Sequence, residues 1–277
     1  MPFGFPGRTH PGTMLETQIV DHIATVTLTT RTMAPAFFDA VGETFGRLAK
    51  TPGLRAVVLR SKERAFSYGL DLQAAFSEHG DKLMGSPTAG PRLELRDLIL
   101  HWQGAFTAVA SCPVPVICAV HAQCIGGGLD LVAACDLRLA SEDAVFSLRE
   151  VKVAIVADIG SLQRLPEIIG LAKTRELAYT GRDFGAAEAL EMGLLNSVHA
   201  DRDALHAAAD QLAAEIAANA PLAVRGIKSV LDWGVGKTVA ERLDYVATWN
   251  AAFLASADLG EAVAAFMERR APEFTGD

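Results

Sequence analysis

The sequence predicts an α/β fold, and three observations carry that expectation. Short β-branched apolar runs, Ala56–Arg60 and Val114–Val120, alternate with segments of helical period. The last third, Asp201 to Arg270, is alanine-rich and helical in period, broken near Pro221 and around Trp233-Gly-Val-Gly236. A chain of 277 residues, 50% hydrophobic and 21% charged, is long enough for one large core or one core plus an appendage.

Residues 1–13 are rich in Pro and Gly, which reads as a flexible tail with no apolar leader segment. From Thr17 to Leu28 the apolar and polar residues alternate, predicting a hairpin that turns at Asp21-His22. Phe37, Val41, Phe45 and Leu48 then recur at helical spacing, and Thr51-Pro52-Gly53 ends that helix. Ala56–Arg60 is a continuous apolar run of the kind a buried strand needs, so the opening reads as ββαβ units. It leads into the loop Ala65-Phe-Ser-Tyr-Gly-Leu-Asp71. Between Ser77 and Pro91 the polar and Gly/Pro residues predict a mobile surface insertion. A helix is expected from about Arg92 to Ser111, with Trp102, Phe106 and Val109 on a core-facing side.

The central stretch runs from Pro113 to Asp158. Pro113 and Pro115 stand at the beginning of an apolar strand, where a missing N–H is tolerated. The glycines Gly126-Gly127-Gly128 follow, and then a helix-like Leu129–Cys135. Strand, glycine turn and helix together present unpaired N–H groups at the positive end of a helix, a place for negative charge developing on oxygen. Three acids come next: Asp130 in the first helical turn, Glu150 after a probable strand at Ala144–Ser147, and Asp158 within the apolar Val153–Ile159. Each has an ordinary alternative: a helix-start charge for Asp130, a solvated loop acid for Glu150, a cap for the segment after Gly160 in the case of Asp158. Yet a carboxyl in an apolar run is costly unless it is paired or protonated. Leu171–Thr180 and Ala186–Met192 read as two short helices without evident chemistry. Gly236-Lys237-Thr238 mimics a phosphate loop, but the required first glycine falls at Leu231 and no buried strand precedes it.

Ala65-Phe-Ser-Tyr-Gly-Leu-Asp71, Pro115 through Gly128, and Gln163-Arg-Leu165 resemble the crotonase (enoyl-CoA hydratase/isomerase) superfamily. Cys124-Ile-Gly-Gly-Gly-Leu-Asp-Leu-Val-Ala-Ala-Cys-Asp136 and Arg149 through Pro166 are most similar to its Δ3,5-Δ2,4-dienoyl-CoA isomerase branch. The resemblance spans about Thr25 to Phe274. It implies a crotonase-like ββα spiral core over residues 14–200 and a C-terminal helical trimerisation region over 201–277, giving a homotrimer or hexamer. It implies an acyl-CoA thioester substrate, no metal, and no cofactor beyond the CoA of the substrate. The backbone N–H groups of Leu70 and Gly127 would form the oxyanion hole, and Ala65 and Ser67 would lie with them along the substrate. Asp130, Glu150 and Asp158 would be the catalytic acids, Glu150 serving C2 and Asp158 serving C6. Hydratases of the superfamily instead carry Glu where this chain has Asp130, and glycine where it has Asp158. Hydration of 2-enoyl-CoA and non-catalytic acyl-CoA binding are the alternatives. One departure concerns CoA: Leu28-Thr-Thr-Arg-Thr-Met-Ala-Pro35 lacks the family's usual Asn-Arg-Pro loop, leaving Arg31 as a candidate phosphate contact or a solvated arginine.

A net charge of −8 argues against a nucleic-acid surface, which needs a basic face. No apolar run is long enough to span a membrane. The four cysteines form no C-x-x-C pair and three lie in apolar segments, which predicts reduced thiols and a cytoplasmic protein.

Overall fold

The computed structural model describes residues 14–85 and 87–277, so the tail expected over residues 1–13 lies outside the described residues. Strands β1 (Leu15–Val20) and β2 (Ile23–Leu28) form the expected hairpin, with Leu15 opposite Leu28. Asp21 and His22 both take positive φ, +46° and +68°, the handedness that a two-residue turn between twisted strands requires. Helix α1 (Pro35–Leu48) buries Phe37, Val41, Phe45 and Leu48 as their spacing predicts. β3 (Ala56–Ser61) lies parallel to β2.

The expected insertion at Ser77–Pro91 is corrected: most of it is helix. Asp71 caps α2 (Leu72–Leu83) by accepting the Ala74 N–H at 3.0 Å, and the helix is kinked at His79. α3 (Ala89–Ala110) begins soon after and stacks Trp102 on Phe38, ring centroids 4.9 Å apart, so its aromatics belong to the core. β4 (Val116–Val120) starts just beyond Pro113 and Pro115. β5 (Gln123–Ile125) and α4 (Gly127–Ala133) follow.

Beyond α4 come β6 (Leu137–Ser141), β7 (Val145–Ser147) and a 3-10 turn over Glu150–Val153. α5 (Ser161–Thr180) is twice the length of the helix read from Leu171, because its first half is joined to the second across Gly170 at φ +78°. β8 (Asp183–Gly185), α6 (Ala186–Glu191) and β9 (Ser197–His199) complete the sheets. The helical last third divides into α7 (Arg202–Ala217), α8 (Pro221–Trp233), α9 (Val239–Phe253) and α10 (Ala257–Glu268). Its last break, at Ser256, was not foreseen; that side chain caps α10 through the Leu259 N–H. Thr238, in the rejected phosphate-loop look-alike, caps α9.

The main sheet has the order β1-β2-β3-β4-β6-β9, and a small sheet has the order β5-β7-β8. Both faces of the main sheet are covered, which is why its inner strands read as continuous apolar runs. Val57, Leu59 and Cys118 face the cluster that includes α1 and α3. Ala56, Val58, Ile117 and Ala119 face Leu205, Ala209 and Ala213 of α7. All four cysteines are buried and free.

Where β4 turns into β5, Ala122 holds φ +49°, and its carbonyl accepts the Val145 N–H at the start of the β5–β7 pairing. An alanine in the left-handed region costs roughly 1–2 kcal/mol, against about 0.5–1 kcal/mol for the extra freedom of glycine when unfolded. Ala122→Gly is therefore expected to raise the midpoint of thermal unfolding by about 2 °C, measurable by calorimetry.

Candidate active site

The loop after β3 is stitched on both sides. Phe66 and Ser67 donate N–H groups to His121 and Gln123, the Ile125 N–H returns to Ser67, and Tyr68 donates to Arg31. Met33 then takes both the Gly69 carbonyl, at 2.8 Å, and the Asp71 N–H, at 3.0 Å. Because residues 69 and 71 are spent on Met33, the intervening Leu70 N–H points the opposite way, as alternation along an extended chain dictates. Gly69 reaches this arrangement at φ +82°. Opposite stands Gly127, the first residue of α4, whose N–H has no intrahelical acceptor. The two backbones nearly touch: a Cβ added at Gly127 would lie 3.8 Å from the Leu70 nitrogen, and one at Gly69 would lie 3.3 Å from the Gly127 nitrogen. The structure thus brings the two expected oxyanion donors together.

The same structure gathers the three acids. Asp130, 1% exposed in the first turn of α4, accepts the Ser161 N–H at 2.6 Å and so caps α5 from outside that helix. Burial pushes its carboxyl up to about 6, with Asp158 adding to the rise while the neighbouring Ser161 and the Arg164 charge oppose it. Glu150 opens the 3-10 turn and lies against the glycine triplet; a Cβ on Gly126 would come within 3.1 Å of its Oε1. Its Oε2 is buried without a partner. Burial, then the charges of Asp130 and Asp158, push Glu150 up to about 7. Asp158 is half-buried and raised by burial, and Gln103 of α3 holds its backbone carbonyl at 2.6 Å. The ordinary alternatives do not describe these groups. Asp130 is no solvated helix charge, Glu150 is no free loop acid, and the first N–H of α5 goes to Asp130 rather than to Asp158.

Leu70, Gly127, Asp130, Glu150 and Asp158 all line one 140 Å³ cavity, whose remaining wall includes Tyr68, Leu72, Ile125, Val153 and Ile155. Ala65 and Ser67 do not line it. Ala65 is fully buried, and Ser67 lies behind the loop with its Oγ accepting the Gly69 N–H at 3.0 Å. Tyr68 also borders a polar groove of 490 Å³ formed by Thr29–Thr32, Glu63 and Arg64. Arg31 lies there, 3.7 Å from Glu63. Sequence reasoning passed over Gln103, Ser161 and Arg164. Only the position of Ser161, directly after a helix-breaking glycine, hinted at a helix start.

Geometry of this kind, two convergent backbone donors facing several carboxyls of raised pKa, is the equipment of an enzyme that makes and quenches an enolate. The chain matches the Enoyl-CoA hydratase/isomerase family over residues 18–277, and it belongs to that family. Within the family it is 42% identical over 238 residues to the peroxisomal Delta(3,5)-Delta(2,4)-dienoyl-CoA isomerase of Arabidopsis thaliana, covering 86% of each chain. The mitochondrial enzyme of the same name from Mus musculus is 43% identical over 242 residues, 86% of this chain and 73% of that one. Among solved structures, an enoyl-CoA hydratase from Bacillus anthracis superposes with a TM-score of 0.85 at 27% identity, covering 95% of this chain and 100% of the other. One from Mycobacterium smegmatis gives 0.84 at 27% identity, over 94% and 98%.

Proposed function

We propose that the chain shifts the double bonds of a 3,5-dienoyl-CoA into 2,4 conjugation, as a step in fatty-acid β-oxidation. The observation that carries this reading is the third acid: Asp158 lines the same cavity as Glu150 and the two oxyanion donors. With the thioester oxygen on the Leu70 and Gly127 N–H groups, ionised Glu150 takes the C2 proton. The C2–H electron pair moves into the conjugated system and the negative charge settles on the thioester oxygen. Each donor of this kind contributes on the order of 2.7–4 kcal/mol to holding such a charge. Protonated Asp158 then delivers a proton at C6, and the electrons settle as the 2,4-diene. The exchange is redox-neutral, so acid/base groups and the oxyanion site suffice with no cofactor beyond the CoA of the substrate. Asp130 stays beside Glu150 as the charge that sets its affinity for the proton.

Other features support the expected placing of CoA and the expected assembly. The polar groove beside Tyr68 suits the CoA moiety, with Arg31 and Arg64 available to phosphate. No residue of α9 is buried, and Phe266 and Met267 of α10 are 85% and 78% exposed, which supports a trimer or hexamer formed through these helices. Among the described residues no helix is long and apolar enough to cross a membrane. The four free, buried thiols support a cytoplasmic location, though the relatives named above are peroxisomal and mitochondrial proteins.

The test is an ultraviolet assay with 3,5-dienoyl-CoA and, in parallel, 2-enoyl-CoA. Rising conjugated-diene absorbance is expected, with kcat/KM climbing as pH passes through about 7, where Glu150 ionises. Loss of 2-enoyl absorbance alone would make the protein a hydratase.

A further inference from the structure

Ser161 is fully buried, and its hydroxyl has no hydrogen-bond partner assigned. Its N–H donates to Asp130 at 2.6 Å, and the hydroxyl stands beside the same carboxyl. A buried O–H left unsatisfied is costly, and the carboxyl that already accepts the Ser161 N–H offers it an acceptor. Three residues before it, Asp158 faces the cavity. Three residues after it, the Arg164 guanidinium folds back over Gly160, where an added Cβ would meet its Nη1.

We propose that Ser161 is a positioning residue: it fixes Asp130 in place as an anion, so that Glu150 takes and releases its proton against a constant negative neighbour. The first turn of α5 donates its N–H to this carboxyl and brings the hydroxyl and the Arg164 charge, whose guanidinium bonds the Ile159 carbonyl, into its neighbourhood. The inference deepens the proposed isomerase and rests on Glu150 acting as its base. The groups facing Asp130 are Ser161 and Arg164 from α5, Asp158 from the preceding connection, Glu150 from the 3-10 turn and the Cys124 thiol from β5, which burial keeps protonated.

The sign follows from this arrangement. Losing the hydroxyl weakens the ionised form of Asp130, which then holds its proton to higher pH. A neutral Asp130 repels Glu150 less, so Glu150 ionises at lower pH. A single hydrogen bond to a charged group is worth roughly one pH unit or more, shared between two coupled sites.

The experiment is a carbon-13 NMR titration of side-chain-labelled glutamate, with Glu150 identified through Glu150→Gln, beside kcat/KM profiles on 3,5-dienoyl-CoA. Ser161→Ala is expected to lower the Glu150 midpoint by about 0.5–1 pH unit and to move the acid limb of kcat/KM the same way. Ser161→Thr, which keeps a hydroxyl, should leave both near wild type. Should Ser161→Ala not fold, Ser161→Cys keeps the volume with only a weak donor and carries the same expectation. An unchanged Glu150 midpoint in a folded Ala or Cys variant overturns the proposal, whatever happens to activity. A shifted midpoint in a protein that turns over no dienoyl-CoA would leave the positioning role standing and remove the isomerase reading instead.

Discussion

Asp158→Asn is expected to lower kcat for 3,5-dienoyl-CoA by about 10²–10⁴-fold while leaving thermal unfolding within about 2 °C of wild type. That range is what a positioned general acid contributes. The substitution keeps the size and shape of the side chain and removes only the transferable proton. It also leaves the structural tie intact, because the Asp158 backbone carbonyl, not its carboxyl, is what Gln103 holds. A secondary effect follows from electrostatics. Asp158 is one of the groups that raise Glu150, so the residual activity should show its acid limb at lower pH than wild type. Glu150→Gln, by contrast, should remove the acid limb altogether. An Asp158→Asn protein that keeps dienoyl turnover within about threefold of wild type would mean that C6 receives its proton elsewhere, and the three-acid mechanism would fall.

The distinction matters because, in the proposed mechanism, Asp158 is the group that hydration would not need. Two carboxyls and two N–H donors suffice to add water across a 2-enoyl thioester. A third carboxyl lines the same cavity, and in the proposed mechanism it supplies the second proton-transfer position. Burial raises its proton affinity above that of an ordinary aspartate, the direction that delivery at C6 calls for.

How far this was legible in the sequence varied with the length scale of the physics. The oxyanion donors, the three acids and the glycine turn lie in continuous stretches whose residue types are constrained by backbone geometry, and they were readable. The hairpin and the inner strands were readable because two-faced burial forces a continuous apolar run or a strict alternation. The strands β6, β8 and β9 were not, because they are short and owe their existence to pairing with strands far away in sequence. The helical nature of residues 77–83 was hidden by Gly80, and it rests on the Asp71 cap. Ser161, Arg164 and Gln103 escaped for a related reason. Each acts on an acid through tertiary contact, and Gln103 lies 55 residues from the Asp158 carbonyl that it holds.

The second large effect is expected at Gly69, where backbone geometry and catalysis meet. Gly69 holds φ +82°, and a Cβ there would lie 2.7 Å from the Ile125 carbonyl oxygen, well inside contact distance with main chain. A left-handed alanine costs roughly 1–2 kcal/mol even without a clash. The loop cannot slide to relieve the contact. On one side Gly69 and Asp71 are bonded to Met33, and on the other Ser67 is bonded to Gln123 and Ile125. Any relaxation must therefore move the Leu70 N–H, the next group along the chain, away from its partner donor on Gly127. Gly69→Ala is expected to destabilise the protein by about 2–4 kcal/mol and to lower kcat at least about 10²-fold, the effect of misplacing one oxyanion donor by about 1 Å. Denaturant unfolding measures the first effect and the diene assay the second. A Gly127→Ala control separates them: the tightest contact of its Cβ would be the flexible Met33 sulfur, at 3.1 Å, with the main chain no nearer than 3.8 Å, so a smaller stability loss is expected. If Gly69→Ala loses stability as expected but keeps wild-type kcat, then Leu70 does not hold the thioester oxygen, and the enolate must be stabilised by Gly127 and other groups of the cavity.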